Sequence, residues 1–218
     1  MATLPGDPEA VHIAVLARAP TPGRAKTRLI PALGAPGAAR LHRSMTLRTL
    51  LTAQRAQLGE VSLWCAPDRQ HRFFRALQRR HGVACHDQPE ADLGQRMLHA
   101  LRHPKAPCLV IGTDCPALTS AHLHQAAHAL RSGQDAVFLP VEDGGYALVG
   151  WRCELASLFE AIDWSTERVM AQTRQRLRSA GASWQELETL WDVDLPQDLA
   201  RLATLELPLP MQKFVGVD

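Results

Sequence analysis

The chain has 218 residues, 46% hydrophobic and 21% charged, with a formal net charge of +2. That length supports one sizeable core, and that composition excludes a disordered or low-complexity chain. No apolar run approaches the ~18 residues of a membrane span, residues 1–10 lack a signal-peptide pattern, and five cysteines without a C-x-x-C spacing argue against a disulfide framework or structural zinc, so a reducing cytoplasm is the expected location.

Residues 11–17 (VHIAVLA) read as a first strand. A loop follows in which Pro20, Pro22 and Gly23 impose shape and Arg24, Lys26 and Arg28 come within five residues. If that segment is extended, the three cations line one wall. Arginine forks and a lysine point charge suit a polyphosphate, although the spacing is not that of a Walker A loop. No Asp or Glu occurs between residues 10 and 59, whereas eight Lys and Arg do. The section therefore reads either as a solvated basic loop or as a local anion site. A nucleic-acid partner is not expected, because aromatics are only 5% and no stacking or helix-turn-helix pattern is present.

A long helix is predicted over 36–57, with Leu41, Met45, Leu50 and Leu51 inward, then a strand over 60–65. Asp68 is the expected cap of a helix packed through Phe73, Phe74 and Leu77 and stopped by Gly82. A short strand over 83–86 leads through Gln88 and Asp92 into another helix. Gly94 near its start marks either a weak helix or a close approach.

The central stretch is 108–118. Leu109, Val110 and Ile111 form a buried parallel strand, and Asp114 lies just past its carboxyl end. Ligands of open α/β sheets bind there, although a turn-capping Asp fits the same place. The next helix carries His122, His124 and His128 on an expected solvated face. A strand over 135–140, a Glu142-Asp-Gly-Gly turn and a strand over 147–151 form a hairpin. After an amphipathic stretch over 155–162, Asp163-Trp-Ser-Thr166 opens a helix over 167–180. Asp194 with Gln197 fits a capping box, while Asp192 and Asp194 share one side of an extended segment. Alternating strands and helices predict a single-domain α/β sandwich over 1–218 with a mostly parallel sheet.

The motifs PxPGRxKTRL, DLGxRM, GTDCPALT, EDGGYxLxG, WST and DVDxPxDL occur in one order along nearly the whole chain. In this the sequence resembles the small GT-A-like transferases known as radical-SAM/selenodomain-associated transferase 1 or the arsenosugar-biosynthesis glycosyltransferase family. These are related to 2-phospholactate guanylyltransferase and molybdenum-cofactor guanylyltransferase. The resemblance implies a three-layer nucleoside-diphosphate-sugar-transferase fold with Mg2+ or Mn2+ between Asp114 and Asp194. It implies a nucleoside triphosphate, or alternatively an NDP-sugar, as donor to a small acceptor. Arg24, Lys26 and Arg28 would take the phosphates, with Arg18 and Gly23 beside them. Asp92 and Gly94 would approach the nucleoside, and Asp143, Gly144 and Gly145 the acceptor. Leu195, Gln197 and Arg18 depart from the family's usual Thr, Glu and Lys. The expected activity is nucleotidyl transfer, with glycosyl transfer and a non-catalytic nucleotide-binding module as the alternatives.

Overall fold

The computed structural model describes residues 10–104 and 107–205. Residues 1–9 and 206–218 lie outside the described residues, and with them most of the stretch read for a signal peptide and most of the two-proline tail. The strands are β1 (His12–Arg18), β2 (Val61–Ala66), β3 (Ala84–Asp87), β4 (Cys108–Ile111), β5 (Ala136–Pro140), β6 (Tyr146–Trp151) and β7 (Trp184–Glu186). They form one sheet in the order β3-β2-β1-β4-β6-β5-β7. Only β6 is antiparallel to its neighbours, because a hairpin turn joins it to β5.

Among the described residues six helices cover the sheet: α1 (Ile30–Ala56), α2 (Arg72–His81), α3 (Leu93–Arg102), α4 (Ser120–Arg131), α5 (Val169–Ser179) and α6 (Asp198–Ala203). Strand residues alternate between two cores. Ile13, Val15, Leu109 and Ile111 pack with Leu50, Phe74 and Leu123 of α1, α2 and α4. Ala14, Trp64, Val110 and Val149 pack with Met97, Leu101 and Met170 of α3 and α5. The predicted α/β sandwich is therefore what forms. Its switch point falls between β1 and β4, where the chain leaves β1 in one direction and returns beside it from the other.

A third cluster positions the site. Leu29, Leu41 and Met45 pack against Trp191, Val193 and Leu202. It ties the loop after β1 to the segment that follows β7. That segment runs beside β5, with Leu190 N–H donating to the Pro140 carbonyl at 3.0 Å, and then crosses to β4, where Val193 N–H donates to the Asp114 carbonyl at 2.9 Å.

Several local expectations are corrected. α1 begins at Ile30 and is broken at Gly34, whose φ of 68° and ψ of 161° only glycine adopts readily. The cap of α2 is His71, not Asp68, whose carboxylate accepts instead from Gln70 N–H at 2.7 Å. His122 is buried rather than solvated. Its Nδ1 accepts from Thr119 N–H at 3.1 Å in a capping box, and its Nε2 donates to Glu188 at 2.8 Å. His124 and His128 are exposed, as expected. The stretch over 155–162 contributes only a 3-10 turn, Ala156–Phe159. No capping box forms at Asp194. Asp198 reaches back instead, its carboxylate accepting from Asp194 N–H at 2.9 Å and Leu195 N–H at 2.6 Å. The Asp194 side chain is thereby left for another role. Strand β7 is too short and polar to be predicted from sequence. The five cysteines are free.

Candidate functional site

A cleft of about 780 Å3 opens at the switch point. The loop after β1, the residues following β4, the hairpin turn, the start of α3 and the segment 164–166 line it. No helix among the described residues is long and apolar enough to cross a membrane.

The loop is not extended. Lys26 adopts a left-handed conformation (φ 49°, ψ 47°), and residues Thr27–Leu29 form a 3-10 turn. An extended chain would set the three cations side by side; this geometry separates them. Arg24 and Arg28 stay exposed, while the Lys26 side chain turns inward and is only 4% exposed. Its ammonium lies 2.7 Å from Asp114 Oδ1 and 2.9 Å from Asp194 Oδ1, and it also donates to the Val193 carbonyl. Arg28 approaches Asp194 Oδ2 at 3.8 Å. Burial alone would lower the Lys26 pKa, but the two carboxylates outweigh it and hold it above the ordinary 10.5. Burial would raise Asp114, yet the Lys26 ammonium holds it below 3.8.

His42, on the buried arc of α1, is a site residue that the sequence reading passed over. Its Nε2 donates to the Arg18 carbonyl at 2.9 Å, and its Nδ1 lies 3.9 Å from Asp114. Burial lowers its pKa, so the ring is neutral and its Nδ1 presents a lone pair, without a partner, to the acid. The only signal in the sequence was its place between Leu41 and Met45 on the inward face.

Asp192 and Asp143 also line the cleft. Burial, Asp143 and Asp194 push the Asp192 carboxyl up to about 7. Asp114, Asp143, Asp192 and Asp194 thus line one cleft, and the carboxylates beyond those paired with Lys26 fit a cation. Among the described residues no three His, Cys, Asp or Glu side chains converge into a closed metal cage. Two facing carboxylates open to a cleft do fit magnesium or manganese, which keep waters and take phosphate oxygens as further ligands. Asp114 and Asp194, sharing one ammonium, are the residues that would hold the ion.

The structure brings Arg18, Arg24, Lys26, Arg28, Asp114, Asp143, Gly145 and Asp194 to the cleft. It places Gly23, Asp92, Gly94 and Gly144 behind the lining. Gly23 is a turn residue at φ 79°. Asp92 caps α3, accepting from Gln95 N–H at 2.8 Å. A Cβ at Gly94 would lie 2.5 Å from Trp164, and one at Gly144 would lie 2.1 Å from the Glu167 carbonyl oxygen. Both glycines therefore allow close packing. Gln88 lines the cleft and donates to the Ala17 and Trp64 carbonyls. The Cys115 thiol beside Asp114 is pushed up to about 11, chiefly by burial, and is a poor nucleophile.

The chain is similar to a protein from Desulfovibrio desulfuricans G20 described as a "putative nucleotide-diphospho-sugar transferase", with a TM-score of 0.80 and 26% identity over 91% of this chain and 89% of that one. A CMP:2-keto-3-deoxy-manno-octonic acid synthetase solved with CTP matches at TM-score 0.57 and 14% identity, over 88% and 96%. A Mycobacterium tuberculosis H37Rv protein solved with manganese matches at TM-score 0.52 and 15% identity, over 88% and 97%. The nucleotide-diphospho-sugar-transferase fold is thus shared. No curated protein sequence matches the chain. Residues 47–166, more than half of the chain, match the family described as "Uncharacterized protein conserved in bacteria (DUF2064)", and the protein belongs to that family.

Proposed function

We propose that the protein is a divalent-metal-dependent nucleotidyltransferase that moves a nucleoside monophosphate from a nucleoside triphosphate to a small phosphorylated or carboxylated acceptor. The observation that carries this reading is the meeting of Lys26 with Asp114 and Asp194, and of Arg28 with Asp194, in a cleft that Arg24 also lines. The exposed arginines bind phosphate oxygens, and the fold's relatives include enzymes that act on CTP. An oxygen of the acceptor attacks the α-phosphorus. The bond from that phosphorus to the bridging oxygen breaks, and pyrophosphate leaves with the electron pair. A metal held by Asp114 and Asp194 would supply charge neutralisation at the transferred phosphate. Arg24 and Arg28 neutralise the departing pyrophosphate, and Asp143 and Gly145 face the acceptor.

The description of the Desulfovibrio relative favours a second reading, glycosyl transfer from an NDP-sugar. Thermal shift with Mg2+, a panel of triphosphates and a panel of NDP-sugars separates the two. A ligand at 100 times its Kd adds ~2.7 kcal/mol to the folded state. Stabilisation by CTP or GTP, with pyrophosphate released once an acceptor is supplied, is expected. Stabilisation by NDP-sugars alone gives the glycosyltransferase. Response to neither leaves a binding module.

A further inference from the structure

The cleft holds a cation that the phosphate loop does not account for. Leu93, Arg96 and Met97, spaced i, i+3, i+4 on α3, all line it. The Arg96 Nε–H is buried and has no hydrogen-bond partner, and among the described residues no carboxylate pairs with the guanidinium. Lys26 and Arg28, by contrast, face acids. A buried donor left unpaired is costly, and in a cleft it points to a partner that arrives from outside.

The wall around Arg96 is built as one piece. Gly94 on α3 admits Trp164 so closely that a Cβ would stand 2.5 Å from its ring. Gly144 of the hairpin turn packs on the Glu167 backbone, and Met170 N–H donates to the Gly144 carbonyl at 2.8 Å. The segment 164–167 is therefore clamped between α3 and the hairpin turn. It presents Trp164 and Ser165, the latter at φ 64°, to the cleft. Leu93, 44% exposed, adds open apolar surface at the same rim. Asp143 lines the cleft from the hairpin side of this wall.

We infer that Arg96 binds an oxyanion, carboxylate or phosphate, of the acceptor, and that Trp164 and Leu93 cover the acceptor's carbon skeleton. A guanidinium fork matches two oxygens of either group. The donor's phosphates have their own cations on the loop after β1, so a second anion on a separate wall belongs to a second substrate. The existence of that second substrate rests on the transferase reading above.

The test is calorimetric titration of the full chain, with Mg2+ and with or without CTP, using phosphonoacetate, which carries both groups, and glycolate and methyl phosphate, which carry one each. Arg96→Met is expected to weaken phosphonoacetate at least tenfold while leaving CTP affinity within twofold. Arg96→Lys, which keeps the charge without the fork, is expected to fall between and guards against misfolding of the first variant. Whichever single-group probe shares the Arg96 dependence identifies the oxyanion. The inference is overturned if phosphonoacetate affinity is unchanged in both variants, if CTP weakens by the same factor, or if no probe binds the wild type. If CTP fails to bind the wild type while probe binding still depends on Arg96, nucleotidyl transfer falls and the oxyanion site stands.

Discussion

A single ammonium, that of Lys26, is shared by Asp114 and Asp194 and is sealed from solvent. Lys26→Met leaves the two carboxylates facing each other with only the exposed Arg28, 3.8 Å from Asp194, beside them. The expected loss is about 2–3 kcal/mol, less than for a fully buried pair because the acids are 46% and 38% exposed. Added MgCl2 should raise the melting temperature of this variant more than that of the wild type; an equal response would separate the acid pair from cation binding. The pH dependence follows from the depressed Asp114 pKa. The pairing is present above the ordinary carboxylate value of 3.8 and is lost as pH falls through the lower folded value. The gap between wild type and variant should therefore hold near neutrality and close only in strong acid. Asp192 behaves in the opposite sense. Its folded pKa of about 7 exceeds the ordinary 3.8, so stability is lost as pH rises between the two. Asp192→Asn should raise metal-free stability at pH 8 by about 1–2 kcal/mol after allowance for water screening, by less than half as much at pH 5, and not at all below the ordinary carboxylate value of 3.8. Paired melting curves check this, and an equal gain at both pH values would refute it.

Among elements, the segment 164–167 shows how the sequence spends glycines on contact between pieces. Gly94→Ala places a Cβ 2.5 Å from Trp164 Cζ2, and the ring or the helix must move. A loss of about 1–3 kcal/mol is expected, together with an altered tryptophan emission spectrum. Gly144→Ala meets the Glu167 backbone at 2.1 Å at a φ of +89°, where neither clash nor strain has a flexible side chain to relieve it. It should cost more than Gly94→Ala in urea denaturation. Asp198 sets the far side of the site, since it takes the amides of Asp194 and Leu195. Asp198→Ala removes the acceptor of both amides; it should cost about 1–2 kcal/mol and loosen Asp194 at the cleft.

On the scale of the molecule, both cores draw on β1, β2, β4, β5 and β6, so neither helix layer has a sheet of its own. Unfolding should be one cooperative transition. Far-UV circular dichroism and tryptophan fluorescence, the latter reporting chiefly on the α3 and α5 face through Trp64 and Trp151, should give coincident urea curves. Separated midpoints would show two units where one is expected. Hydrogen exchange should be slowest in β1 and β4 at the centre and fastest in β7, three residues long at the edge.

Most of the sheet was legible because its strands are short apolar runs bounded by Pro and Gly, and period-two burial needs only the local sequence. The 109–111 run, the hairpin at Gly144-Gly145 and the Gly82 stop are of this kind. The acids at 114 and 194 and the cations at 24–28 were legible as residue types at strand ends. What faced what was not. Whether Lys26 or Arg28 turns inward depends on a left-handed backbone at Lys26 and on Leu29 burying beside Val193, a contact between distant parts of the chain. The Asp194 side chain belongs to the site because it turns to Lys26, while Asp198 takes the Asp194 and Leu195 amides. His42 and Arg96 looked like ordinary helix residues until the sheet set one against Asp114 and left the other in the cleft without a partner. Composition and periodicity act along the chain and determined the layers. The pairing of buried charges acts across it, and only the tertiary structure decided that.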